Sequence, residues 1–210
     1  MSNNQANLFV IAAPSGAGKT TLVKALVTRN PELRFSISYT TRPKRRNEAH
    51  GVDYLFVEKD EFEALRAGGA LLESAEVFDN HYGTSRIQVE AHLVAGHSVV
   101  LEIDWQGARQ VRESMPGCVS IFILPPSHDE LVRRLQERRT DSEEVIARRL
   151  RDAVSDMSHW HEFDYVVIND DLDAAVADLE AVLAGDGEQQ ASCNTALQRA
   201  IAAIVDQNGR

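Results

Sequence analysis

Cysteine is scarce in this chain: Cys118 and Cys193 are the only two among 210 residues. Two thiols are too few for a disulfide framework at this length, and they share no metal-ligand spacing. Lysine is scarce as well. Four of the 22 bases are Lys and 18 are Arg, a skew that suits bidentate phosphate recognition but follows equally from a G- and C-rich genome. No apolar run approaches the roughly 20 residues that span a bilayer; residues 8–13 and 121–124 are typical of those present. The first seven residues have neither a basic n-region nor an apolar h-region, so no secretory signal is visible and a cytoplasmic setting is the expectation. Net positive charge is missing too. Thirty-two acids against 22 bases leave −10, which argues against a general binder of nucleic acid or of an anionic membrane.

What is present is an alternation of short apolar runs with helical patterns. Residues 8–13 end directly at Pro14-Ser15-Gly16, which predicts a buried strand followed by a turn. A helix is predicted from about Thr20 to Arg29, with Leu22, Leu26 and Val27 on one face and a stop before Asn30-Pro31. Further buried strands are predicted at 98–103, 119–124 and 165–168. Helices fall between them: one begins near Asp104, one near a Ser127/Glu130 capping box, and one near Asp141 with an Asp-x-x-Glu start. Leu172, Ala175, Val176, Leu179, Val182 and Leu183 make one amphipathic stripe. Such alternation predicts an α/β fold with a parallel sheet covered on both faces.

The stretch 38–96 breaks the rhythm. Short candidate strands at 54–57 and 72–78, a helix stopped by Gly68-Gly69 and many polar residues read as an insert with its own small sheet. After Gly185 a polar linker leads to a stripe of Leu197, Ala200, Ile201, Ile204 and Val205. That stripe is either a helix docked on its own core or a contact between subunits, and the linker favours the second.

Ala13-Pro14-Ser15-Gly16-Ala17-Gly18-Lys19-Thr20 lies between a strand and a helix, the setting a phosphate-binding loop needs. Gly16 and Gly18 let backbone amides converge on phosphate oxygens, Lys19 reaches the β- and γ-phosphates, and the Thr20 hydroxyl suits Mg²⁺. Ala13 stands where the G-x-x-x-x-G-K-[ST] pattern has its first glycine, which is harmless if that residue needs no positive φ. Asp104-Trp105-Gln106-Gly107 matches the D-x-x-G of GTPase switches, but no N/T-K-x-D element accompanies it: the lysines follow Gly18, Val23, Pro43 and Glu58. A second signal is Ser38-Tyr39-Thr40-Thr41-Arg42-Pro43-Lys44-Arg45. It belongs to a window from Arg34 to Arg46 with five bases and no acid, which suggests a second anionic substrate. Beyond it come Gly51-Val52-Asp53-Tyr54, Leu72-Glu73-Ser74-Ala75-Glu76-Val77-Phe78 and His81-Tyr82-Gly83-Thr84-Ser85-Arg86.

With these motifs in this order, and with LEIDWQGA, FILPPS, RRL-x-x-R and VINDD after them, the chain resembles the guanylate kinase family from about residue 8 to 183. The resemblance implies a three-layer P-loop nucleotide kinase with a parallel central sheet, an inserted GMP-binding mixed α/β subdomain and a helical lid. It implies core segments at 1–37, 97–126 and 156–185, the insert at 38–96 and the lid at 127–155; the residue pattern of the tail gives a linker and C-terminal helix at 186–210. The implied reaction moves the γ-phosphoryl group of ATP to GMP or dGMP, with Mg²⁺. ATP would be held by Ala13, Pro14, Ser15, Gly16, Ala17, Gly18, Lys19, Thr20 and Thr21, with Arg134 and Arg138 from the lid. The GMP phosphate would be held by Arg42, Arg45, Tyr54 and Tyr82, and guanine read by Glu73, Ser38 and Thr84. A carboxylate can accept from guanine N1–H and N2–H₂, where adenine has no matching donors. Glu102 and Asp104 match acids near substrate and metal, so Thr20 and Asp104 are the expected metal-side residues and Glu102 a GMP-side one. Lys19, Arg42, Arg138 and Arg149 are the expected catalytic cations.

Arg134 and Arg138 lie four apart in a segment, 133–151, with seven arginines and four acids, so they share a helix face. The GMP phosphate is mostly dianionic at pH 7, so no general base is required and the absence of a Ser-His-Asp or Cys-His pattern is expected. Two other readings stay open: a non-catalytic guanylate-kinase-like interaction module, and a kinase for another nucleoside monophosphate. The expected partners are ATP and GMP, with no nucleic acid and no membrane, and a homo-oligomer through the C-terminal helix is an option. The two basic windows hold 12 bases and four acids, so the rest of the chain is far more acidic than the total suggests.

Overall fold

The structure is a computed structural model that describes residues 6–77, 79–137 and 143–205. Along the chain the elements are β1 (Leu8–Ala12), α1 (Lys19–Arg29), β2 (Arg34–Phe35), β3 (Tyr39–Thr40), β4 (Leu55–Phe56), α2 (Lys59–Ala67), β5 (Leu71–Val77) and β6 (Asn80–Ser85). Then follow α3 (Arg86–Val94), β7 (Val99–Glu102), α4 (Trp105–Ser114), β8 (Val119–Leu124), α5 (His128–Gln136), α6 (Glu143–Met157), β9 (Tyr165–Ile168), α7 (Leu172–Ala184) and α8 (Thr195–Val205). A 3₁₀ turn at Ser158–Glu162 precedes β9. The parallel sheet predicted from sequence has the order β2-β7-β1-β8-β9. All five residues of β1 and the last five of β8 are buried, as strands covered on both faces must be.

The chain divides into two compact units, Met1–Val10 with Pro31–Val119, and Ile11–Asn30 with Ser120–Arg210. In the first, a mixed sheet runs β4-β3-β6-β5, with β3 parallel to β4 and antiparallel to β6. The fully buried ring of Phe62, on α2, stacks on His81 of β6 at 5.4 Å. Pairing of β5 with β6 shifts between Leu71↔Ser85 and Glu73↔Thr84, so one extra residue on β5 re-aims the strand and sets Glu73 opposite Thr84.

In the second unit α1 buries Leu22, Val23 and Leu26, and α7 buries Ala175, Val176, Leu179 and Val182. Ser127 caps α5 by accepting from the Glu130 amide at 3.1 Å, and Asp171 caps α7 by accepting from the Ala174 amide at 3.0 Å. Phe122 and Phe163 pack with ring centroids 4.9 Å apart.

Several expectations need correction. Strand β6 and helix α3 were not legible, because β6 is polar and carries Gly83, and α3 leaves Ile87 and Val94 exposed. Leu172 of the last predicted stripe is exposed at the first turn of α7. Phe78 of the predicted strand 72–78 lies outside the described residues, as does the predicted start of the lid helix near Asp141; α6 is described from Glu143. The linker after Gly185 does not run free: the Val166 amide donates to Gln190 O at 2.7 Å and the Ser192 amide to Asp164 O at 2.9 Å. Tyr165 and Ala191 form an antiparallel bridge. Ile201 and Ile204 are buried within the single chain, so the subunit contact favoured from sequence is corrected at those two positions. No described helix is long and apolar enough to cross a membrane.

Truncating Ile201, which is fully buried, to alanine should cost about 2–5 kcal/mol in urea unfolding. A loss under about 0.5 kcal/mol, the range of solvent-facing positions, would mean that α8 is not packed as described.

Candidate active site

The phosphate-type loop and the basic strand ends form two separate constellations, one in each unit. In the second unit, the chain leaves β1, turns through 13–18 and enters α1 at Lys19. Gly16 and Gly18 have φ of +93° and +89°, the left-handed region that glycine enters without strain. Among the described residues Asp79 is the one non-glycine with positive φ, so Ala13 meets no backbone penalty at the first position of the loop. Gly18 caps α1 without a side-chain hydrogen bond, so no cap side chain stands over the helix N-terminus, the end that suits an anion. Lys19, Thr20 and Thr21 occupy that first turn, and Thr20 and Thr21 are exposed.

The same loop carries the Ala17 carbonyl, and two side chains converge on it. Asn169 Nδ2 donates to Ala17 O at 2.7 Å, Arg134 Nη1 donates to the same oxygen at 3.3 Å, and Arg134 Nη2 donates to Asn169 O at 3.0 Å. Glu130 accepts from Arg134 Nε at 2.7 Å and from Arg133. Packing is close here: a Cβ on Gly18 would stand 2.4 Å from Asn169 Nδ2, and one on Gly16 would stand 2.8 Å from Leu131 Cδ1. Arg149, on α6, donates through Nη2 to Ser15 Oγ at 2.9 Å. Arg138 lies outside the described residues.

In the first unit, Arg42 follows β3 and makes an ion pair with Glu48 at 2.7 Å, both side chains being largely buried. Its guanidinium lies 5.4 Å from the ring centroid of Tyr54, which meets Tyr82 edge-on at 6.0 Å. Burial alone would lower the Arg42 pKa, but hydrogen bonding to Glu48 and the attraction of Tyr82 and Glu48 more than offset it, so the cation is held above its ordinary value. Burial likewise opposes ionisation of Glu48, yet the hydrogen bonds from Arg42 and from the Arg45 amide keep its carboxyl below the usual range. Tyr54 is pushed up to about 12, first by burial and then by the negative charge of Glu102, so its phenol stays a donor. Arg45 is exposed, with its amide donating to Glu48 Oε2 at 2.8 Å.

Glu73 is 4% exposed and Thr84 1%, and Thr84 Oγ1 donates to Glu73 Oε1 at 2.7 Å. Ser38, also buried, precedes β3. Glu102 ends β7 half-buried. Asp104 caps α4, accepting from the Gly107 amide at 2.8 Å.

Comparison with known proteins gives the family. The family model described as "Guanylate kinase" matches residues 5–186. The chain belongs to the guanylate kinase family. A guanylate kinase of Alkalilimnicola ehrlichii is 60% identical over 175 residues, covering 83% of this chain and 86% of that protein. One of Coxiella burnetii is 49% identical and covers 97% of this chain and 98% of that protein. The crystal structure of guanylate kinase from Anaplasma phagocytophilum superposes with a TM-score of 0.72 at 32% identity, covering 95% of both chains.

Within each unit the structure brings the expected residues of this guanylate kinase family member together. Arg42, Tyr54, Tyr82, Glu73 and Thr84 are in the first, and the loop, Arg134 and Arg149 are in the second. Glu48 and Asn169 had not been singled out. Their signals were present: Glu48 is the first acid after the basic window, and Asn169 belongs to the VINDD run.

Arg133 and then Arg134 hold the Glu130 carboxyl down at about 2, against 4.5 for an unpaired glutamate. A depressed carboxyl contributes stability above its unfolded pKa and loses it as pH falls through the folded one. Wild type should therefore lead Glu130→Gln in Tm above about pH 4.5, and the lead should shrink between there and about pH 2. A difference that is flat across that window would reject the pairing.

Proposed function

We infer that this protein transfers the γ-phosphoryl group of ATP to GMP, giving ADP and GDP. The single observation that carries the reading is the buried Glu73–Thr84 pair in the same unit as the Arg42–Tyr54–Tyr82 cluster. One is an acceptor suited to guanine and the other a cradle suited to a phosphate. Family membership at 49–60% identity over most of the chain supports it.

In this reading Arg42 and Arg45 grip the GMP phosphate through charge-assisted forks, with the Tyr54 and Tyr82 phenols donating to its oxygens. Glu73, with Ser38 and Thr84, reads the guanine edge, and Glu102 adds negative charge beside it. The amides of 13–21 and Lys19 hold the ATP phosphates. Arg149 rests on the loop through Ser15, and in this reading it serves the γ-phosphoryl group. Arg134 keeps the loop in shape from behind and remains at hand for ATP, with Arg138 beyond the described residues. The acceptor phosphate is ionised near neutral pH, so no base is needed and the protein's work is alignment and charge stabilisation. The insert 38–96 and the lid 127–155 exclude water in this scheme, which protects the phosphoryl group from hydrolysis.

Mg²⁺ fits the donors. The Thr20 hydroxyl is a hard oxygen ligand and Asp104 a carboxylate suited to the outer shell. Among the described residues no cluster of three or more His, Cys, Asp or Glu could hold a metal. Bound with ATP, it would neutralise phosphate charge. The acidic balance disfavours nucleic acid as a partner, and the bacterial relatives support a cytoplasmic setting.

The reading is tested by coupled ADP release with ATP·Mg²⁺ against GMP, AMP, UMP and CMP in parallel, where GMP should dominate. Lys19→Met should cut turnover by about 10³-fold or more while the fold survives; near-normal activity would reject the loop assignment. Glu73→Gln should lower kcat/KM for GMP by roughly 10- to 100-fold, the worth of a charge-assisted hydrogen bond, with KM for ATP unchanged. Unaltered GMP use would remove Glu73 from base reading.

A further inference from the structure

Glu73 is held from a side that its own sheet does not supply. Its Oε1 accepts from Thr84, but its Oε2 lies against the first turn of α4. A Cβ built on Gly107 would stand 2.5 Å from Glu73 Oε2 and 3.1 Å from Glu73 Cδ. The carboxylate therefore occupies the space that any other residue at position 107 would fill. Asp104 Oδ1 is 3.2 Å from the same point and is already the cap of the helix.

The strand that carries Glu73 is tied to the same helix. Gln110 Oε1 accepts from the Ser74 amide at 3.0 Å, and Gln110 Nε2 donates to Ser74 O at 2.8 Å. β5 is an edge strand, so this primary amide makes the two-bond exchange that a neighbouring strand would have made. Gly107 and Gln110 are three residues apart and share one face of α4.

We propose that Gly107 and Gln110 are positioning residues that set base selectivity. Gln110 fixes where β5 stands against α4, and the missing Cβ of Gly107 fixes how deep the Glu73 carboxylate sits. This rests on Glu73 reading guanine. A reader of two adjacent donors tolerates little displacement, because hydrogen bonds weaken steeply with misalignment and a site must hold its geometry to about 0.5 Å. The three atoms a methyl at position 107 would meet all belong to side-chain ends, so the carboxylate shifts rather than the helix. Alanine also favours helix more than glycine does.

The experiment compares GMP with IMP, which lacks the N2 amine, in wild type, Gly107→Ala, Gln110→Leu, Glu73→Ala and Gly107→Ala/Glu73→Ala, with KM for ATP and Tm measured on each. Gly107→Ala should lower kcat/KM for GMP by about tenfold or more, chiefly through KM. IMP should lose less, so the GMP:IMP ratio contracts, while KM for ATP and Tm hold. Gln110→Leu puts nothing near the carboxylate and should contract the ratio in the same direction. In the Glu73→Ala background, Gly107→Ala should change GMP use by less than about twofold, since the group it displaces is gone. Wild-type ratios in both Gly107→Ala and Gln110→Leu overturn the proposal, as does an undiminished effect of Gly107→Ala without Glu73. A wild-type ratio in Glu73→Ala overturns instead the reading of Glu73 on which the proposal rests.

Discussion

In one unit the Arg42 guanidinium rests on Glu48 at 2.7 Å, and in the other Arg134 rests on Glu130 at 2.7 Å. Both arginines are partly buried, where an unpaired cation would lose hydration without recompense. The resident glutamates remove that cost and hold each fork in one orientation before substrate arrives. In the proposed reading a phosphate bearing nearly two charges would compete with a carboxylate bearing one, on a cation that needs little reordering. The basic windows hold 12 bases and four acids within a chain of net charge −10. An acidic protein can bind two polyanions because its cations are concentrated, and two of them, Arg42 and Arg134, rest on acids.

The nucleotide loop obeys a related constraint. Turning amides inward requires left-handed glycines, and it turns Ala17 O outward, where Asn169 and Arg134 satisfy it. The loop is shaped by groups from the end of β9 and from α5, so the sheet and that helix both bear on its geometry. Arg134 thereby serves the loop's carbonyl side.

The central sheet was legible because β1 and residues 121–124 of β8 are unbroken apolar runs, while α5 was legible from its cap and α7 from its apolar stripe. The loop was legible because Gly16, Gly18, Lys19 and Thr20 keep a fixed spacing. What could not be read depends on register. Nothing in Leu71-Leu72-Glu73 announces a bulge, yet the bulge sets Glu73 opposite Thr84. Gln110 lies 36 residues from Ser74, and no local pattern marks such a pair. The C-terminal stripe was ambiguous for the same reason: periodicity shows that Ile201 and Ile204 share a face, not what covers it.

That tail has a consequence for handling the protein. β9 ends the order of the five-stranded sheet, and the backbone of 190–192 runs antiparallel along it. Gly187 is seated where a Cβ would stand 2.7 Å from Val182 Cγ2, so the segment lies tight against α7. A chain cut at Gly185, the natural end of α7, would keep every loop and strand named in the chemistry and yet expose a row of unpaired amides and carbonyls. Residues 190–192 serve as a selvedge along β9, on the edge to which another sheet would knit.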